Sequence, residues 1–322
     1  MRSVVLAVVF ALAAAAPAGA TYPGHDGRIA FFAIVSCPRY TEAGDPCNSL
    51  AFSALLAISP FDRDTVQLAR CPGPTCAGVL AEAPRYSPDG RLSAVIGSRM
   101  APAQVAILHA DGSETERIDV PATALAGVDW LPDGRLVAYP APERDGARGK
   151  VFVIGPDGVA REASWRPTGA RAWSARGSVA ISHARGIYVR KRPSDVARLV
   201  LPNGRRFSYA LPDWSPDSRR LVAVRSDTVT MLHTIVTLSA DGGDRRVVVR
   251  STGSGCSFGD VVWSPSGKRI AYTTGCYDSG AIYMVRTDGA HRRELFDSGS
   301  LTSGGQLEAY ISPSISWRPS RR

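Results

Sequence analysis

The string in this chain that most openly spells chemistry is Gly255-Cys256-Ser257-Phe258-Gly259, a Gly-x-Ser-x-Gly pattern followed by Asp278 and His291 in the chain order of a Ser/Asp/His hydrolase. A nucleophile of that kind needs a strand before the serine and a helix after it, so that the hydroxyl stands exposed above the turn. Here the serine leads into Val261-Val262-Trp263, which reads as a strand, and Cys256 beside it is expected in a disulfide. No catalytic residue is therefore assigned. The five histidines, His25, His109, His183, His233 and His291, do not offer metal-ligand spacing either. The glycines serve turns rather than a phosphate cradle, and no Asp-rich calcium loop is present. Neither metal nor cofactor is expected.

What recurs instead is an aromatic residue, Ser or Leu, Pro, Asp and Gly, followed by a basic residue and a short apolar run. The copies are Tyr86-Ser87-Pro88-Asp89-Gly90-Arg91-Leu92, Trp130-Leu131-Pro132-Asp133-Gly134-Arg135-Leu136, Trp214-Ser215-Pro216-Asp217-Ser218-Arg219 and Trp263-Ser264-Pro265-Ser266-Gly267-Lys268. A weaker copy runs from Trp173 to Gly177, and half-copies lie at His25–Phe31 and Ile315–Pro319. The anchors Tyr86, Trp130, Trp173, Trp214, Trp263 and Trp317 are 44, 43, 41, 49 and 54 residues apart, the period of a four-stranded propeller blade. Pro suits the first central position of a type I turn and Gly the left-handed position after it, so each motif predicts a hairpin. A second Asp-Gly turn, at 111–112, 157–158, 241–242 and 288–289, predicts the closing outer strand. A Trp repeated once per blade is expected to pack between blades.

These motifs resemble the WD40-like repeats of the TolB-type six-bladed β-propellers, over nearly everything after residue 20. The resemblance implies an all-β ring of four-stranded antiparallel blades, closed where the C-terminal strand pairs with the N-terminal one. The half-copies complement each other in that way: 315–317 lacks a second strand and 27–34 lacks a first. TolB itself carries an α/β domain ahead of its propeller, for which this chain leaves no room, so the resemblance implies the fold and not the cellular role. Some propeller lyases of similar architecture hold a metal through several histidines at the channel mouth. This chain can bring only His183, and at most His233, to that mouth.

Residues 1–20 read as a secretory signal peptide, with Arg2, the apolar run from Val4 to Ala16, and the small residues Ala18-Gly19-Ala20 as the cleavage site. The apolar run is short for a membrane span, and residues 21–322 are expected to form a single exported propeller domain, a monomer in the extracellular, periplasmic or cell-envelope space. All six cysteines lie in that part. Local pairs are expected in an oxidising compartment, Cys37 with Cys47, Cys71 with Cys76, and Cys256 with Cys276, the last two standing symmetrically about the hairpin at Ser266. A bridge closing a loop of roughly 15 to 20 residues contributes about 3 kcal/mol by the chain-entropy estimate, less any strain.

Propeller topology places the motif turns on one face and the strand-two-to-three loops and blade connections on the other, here called the loop face. The cysteines map to the loop face, as do the longest irregular segments, 36–49, 69–85, 141–149 and 298–313. Long loops on a rigid scaffold are where binding resides. Candidate binding residues around the channel mouth are Arg99, Arg144, His183, Arg225 and Tyr277, joined by Trp165 and Arg166, a second Trp-Arg-Pro string eight residues before the anchor Trp173. The net charge of +9 is carried mostly by arginine. Arg28, Arg91, Arg135, Arg219 and Lys268 follow the turns and would ring the turn face, three of them beside Asp89, Asp133 and Asp217. No basic groove with interleaved aromatics is present, so nucleic acid is not an expected partner. The sequence points to a non-catalytic binding propeller for a protein, for example through its extended tail, or for an acidic envelope polymer. The alternative is a carbohydrate-active or other hydrolytic or lyase enzyme using the same channel mouth.

Overall fold

The computed structural model describes residues 21–36, 52–72, 85–98, 102–141, 150–164, 171–192, 194–251, 256–276, 279–301 and 308–320. These build six four-stranded antiparallel sheets. The first blade orders its strands β24 (Glu308–Ser320), β1 (His25–Ser36), β2 (Phe52–Ile58) and β3 (Thr65–Pro72) from the axis outward. The second holds β4 (Arg85–Tyr86), β5 (Leu92–Ser98), β6 (Ala103–His109) and β7 (Glu114–Val120), and the third β8 (Leu125–Trp130), β9 (Leu136–Pro140), β10 (Phe152–Ile154) and β11 (Ala160–Glu162). The fourth holds β12 (Arg171–Trp173), β13 (Val179–His183), β14 (Gly186–Arg190) and β15 (Arg198–Pro202). The fifth consists of β16 (Phe207–Trp214), β17 (Arg220–Asp227), β18 (His233–Ser239) and β19 (Arg246–Arg250). The sixth consists of β20 (Cys256–Trp263), β21 (Arg269–Cys276), β22 (Ser279–Arg286) and β23 (Arg293–Asp297).

The motif residues form their hairpins by satisfying one another. In the second blade Gly90 N–H donates to Ser87 O at 2.9 Å, the Ser87 hydroxyl accepts from Leu92 N–H at 3.0 Å, and Asp89 accepts from Arg91 N–H at 3.1 Å. Ser215 and Asp217 repeat these contacts in the fifth blade, where Ser218 takes the left-handed position with φ 61°. Gly90 could not be replaced so simply, because a Cβ there would lie 1.7 Å from Pro319 O, a carbonyl of the closing strand β24.

Every anchor faces the preceding blade. The Trp130 indole N–H donates to Arg85 O at 2.8 Å, that of Trp214 to Ala172 O at 3.1 Å, and that of Trp173 to the Tyr139 hydroxyl at 2.7 Å. Tyr86 packs against Ala30 and Ala57 of the first blade, while Trp317 packs with Val262, Ala271 and Met284 of the sixth. Trp263 joins Val222, Val224 and Val248 of the fifth. Apolar clusters thus fill all six seams, and the hydrophobic effect holds the ring as a set of face-to-face sheets rather than as one central core.

The ends close the ring as expected: β1 pairs with β24 from His25↔Ser320 to Ser36↔Glu308. This pairing corrects one boundary. Within the stretch read as irregular at 298–313, Ser298–Leu301 is a 3₁₀ turn and the strand already begins at Glu308. A register shift between Phe31 and Ala33 takes up the extra residues around Pro313, which has no N–H to give to a ladder. A second correction concerns Cys71, which lies inside β3 opposite Ser53 rather than in the connection after it.

On the turn face Arg91 pairs with Asp89 and Arg135 with Asp133, while Arg219 meets Asp217 through its backbone amide. Arg28 pairs with Asp64. Such exposed pairs contribute roughly 0–1 kcal/mol each.

Candidate functional site

Side chains alternate along a strand, so the residue before an anchor lies on the opposite side of the strand from it, near the axis. On β4 that residue is Arg85, on β8 Asp129 and on β16 Asp213, and on β20 Asp260 stands two positions ahead of it. All four are buried. They reach across the seams. Asp213 accepts from Trp263 N–H of the sixth blade at 2.8 Å, and Asp260 accepts from Ile315 N–H of the first at 3.1 Å. Arg85 donates to Ile315 O at 3.0 Å and to the Ser314 hydroxyl at 3.1 Å, with Asp129 3.7 Å and Asp260 3.9 Å away.

Burial dominates the electrostatics of this set. It pushes the Asp213 carboxyl up to about 8, against the pull of the Trp263 amide and the Thr21 hydroxyl that donate to it. Burial also raises Asp260, to about 6, with Arg85 holding it back. A neutral carboxyl beside an ionised one resembles an acid/base pair in chemistry. Both are buried, however, and the hydrogen bonds they accept come from backbone amides and the Thr21 hydroxyl, so these groups latch blade to blade.

The chain's own start stops the turn-face end of the channel. Thr21 and Tyr22 are only 4% and 3% exposed. Thr21 bridges to Ser174 of the fourth blade, and its hydroxyl lies 2.7 Å from Asp213 Oδ2 and 3.4 Å from Trp263 O. The Tyr22 hydroxyl donates to Trp130 O at 2.7 Å, and its titration is driven up by burial first and by Asp129 second. From there the strap runs over the sixth-blade turn, where Gly24 N–H donates to Pro265 O and Asp26 accepts from Ser266 N–H and pairs with Arg269.

Of the residues proposed from sequence, Arg99, Arg144, Trp165, Arg166 and Tyr277 lie outside the described residues, as do Cys37, Cys47 and Cys76. His183 is exposed at the loop-face end of β13, edge-on to Tyr188 at 5.9 Å, and lines a cavity of about 300 Å³ with Arg185, Tyr188 and Arg190. Arg225, half-buried on β17, stacks over Phe207 at 4.7 Å. Among the described residues no hydrogen bond or ion pair joins these two. Cys256 stands opposite Cys276 in the β20–β21 register. Ser257 is an exposed residue within β20, with no helix after it, which leaves the Gly-x-Ser-x-Gly string without its turn. The described residues hold no group of three His, Cys, Asp or Glu placed for a metal ion, and no described helix is long and apolar enough to cross a membrane.

The loop face also carries a feature that sequence reading passed over. Between β17 and β18, Asp227 accepts from the Val229 and Thr230 amides at 2.9 and 3.0 Å and pairs with Arg206, contacts that hold its carboxyl down at about 2. This fixed loop presents Val229, Met231 and Leu232 to solvent, Val229 72% exposed.

The sequence matches no protein-family model and no curated protein. Solved structures do match. A TolB-type protein from Agrobacterium tumefaciens superposes with a TM-score of 0.59 at 18% identity, over 91% of this chain and 99% of that one. TolB from Acinetobacter baumannii gives 0.60 at 12%, over 91% and 67%. The fold is the TolB-type six-bladed β-propeller. An oligogalacturonate lyase in complex with manganese shares the architecture at a TM-score of 0.51 and 11% identity, over 90% of this chain and 89% of the lyase. The TolB-type ring here carries its acidic latches and its N-terminal strap in addition to the repeat motif.

Proposed function

We propose that this propeller is an exported, non-catalytic binding module that recognises a partner through its loop face. The observation that carries the reading is the fixed Asp227–Leu232 loop with its exposed Val229, Met231 and Leu232. Apolar side chains held rigidly in solvent cost little further entropy on binding, and Met is enriched in interfaces, which favours a protein partner over an acidic polymer. The strap at the opposite mouth supports the same side, since it leaves ligands to enter from the loops. Cys256, which is disulfide-bonded, and Cys71 both lie at loop-face strand ends, in keeping with an oxidising compartment.

The test is retention of envelope proteins and of acidic polysaccharides on the immobilised mature protein at two salt concentrations. Protein binding that is lost in a Val229→Ser, Met231→Ser, Leu232→Ser variant is the expected result. Binding of polymer that disappears in an Arg99, Arg144 and Arg225 triple alanine variant would move the ligand class to acidic polymers. Turnover of polygalacturonate, assayed with manganese because the oligogalacturonate lyase was solved with that metal, would replace the binding reading by the enzymatic one.

A further inference from the structure

We propose that the α-ammonium group released at Thr21 when the leader is removed is bound by the Asp213 carboxylate inside the channel, making the processed N terminus the last structural ligand of the ring. The proposal rests on reading residues 1–20 as a removable leader.

Asp213 is completely buried, and the described donors that reach it are neutral: the Thr21 hydroxyl, the Trp263 amide and, more weakly, the Trp214 amide. Its Oδ1 accepts no well-formed hydrogen bond. Burying a carboxylate without a cation is expensive, and the described residues offer it none. Arg85 is the one buried basic residue among those described, and it is engaged with Ile315 O, Ser314, Asp129 and Asp260. Asp260 adds a negative field that further disfavours ionisation of Asp213. The residue that does reach Asp213 is Thr21, whose hydroxyl touches the carboxylate, and Thr21 is also the first residue after Ala18-Gly19-Ala20.

Leader removal is a hydrolysis: water adds hydroxide to the Ala20 carbonyl, the Ala20–Thr21 bond breaks, and the Thr21 nitrogen leaves as an amine that takes up a proton. That step places a positive charge within the residue already seated on Asp213. Because Thr21 and Tyr22 are buried, a peptidase meets the bond before they dock, so cleavage comes first and the new terminus then enters the channel.

The experiment compares the chain beginning at Thr21 with a free amine against the same chain acetylated on that nitrogen, each with Asp213 and with Asp213→Asn. Acetylation removes the charge and leaves the threonine side chain in place. The free-amine protein is expected to melt higher by roughly 2–4 °C, and the gap is expected to close in the Asp213→Asn pair. Equal melting of the free and acetylated proteins, or an undiminished gap with Asn at 213, overturns the ion pair even when the leader is cut as expected. Intact mass of the exported protein checks the other premise separately: a chain that starts elsewhere than Thr21 overturns the leader boundary and the proposal with it.

Discussion

A chain ending at Ser312 is expected to lose its cooperative thermal transition. The missing residues include Ile315 and Trp317, which pair with Phe31 and Ile29 and are buried in the seam with the sixth blade. Loss of a buried Trp alone costs about 3–5 kcal/mol. Arg85 would forfeit Ile315 O and the Ser314 hydroxyl, Asp260 would forfeit the Ile315 amide, and Gly90 O would lose its bond from Arg318. Each buried polar group left without its partner adds about 1–3 kcal/mol. The total reaches the 5–15 kcal/mol that typically separates folded from unfolded states, and most of β1 would stand as an open edge. Calorimetry and limited proteolysis measure the outcome. A truncated protein that melts like the full chain would mean that the ends do not close the ring.

The second large effect is expected from Arg85→Met, which keeps the volume and removes the charge. Asp129 and Asp260 then remain buried without the Arg85 guanidinium, a loss of about 3–5 kcal/mol near neutral pH. The dependence on pH has a defined sign. Asp260 already titrates higher in the folded state, at about 6 against 3.8, so its contribution to stability is greatest in acid and is lost as pH rises between those values. Arg85 lowers the folded value, and removing it lifts that value further. The gap in melting temperature between the wild type and Arg85→Met is therefore expected to be small near pH 4 and to widen toward pH 8. Adding Asp260→Asn is expected to recover part of it. A gap that does not change with pH would show that Arg85 acts through packing alone.

Ring closure and the buried Arg85 cluster differ in how far the linear chain reveals them. Ring closure was legible because two half-motifs at the ends complement each other, and turn chemistry and aromatic spacing are local signals that survive in the linear chain. The channel latches were harder to see. Asp129 and Asp213 each stand directly before a Trp, a repeat that could have been noticed, but Asp260 stands three residues before its Trp, with Val262 in that frame. Arg85 and the Thr21–Tyr22 strap were harder still to read, since the hydrogen bonds that give them meaning go to partners more than 100 residues away. The Val229–Leu232 tip was missed for a similar reason. A short apolar run looks like strand until Asp227 is seen turning the backbone back on itself.

The most direct test of loop-face recognition places a photoreactive side chain at position 229 on the loop face or at position 133 on the turn face and irradiates the protein among the proteins of its exported fraction. A discrete adduct from position 229 and none from position 133 is expected. An adduct formed at 133 and not at 229 would put recognition on the turn face and contradict it.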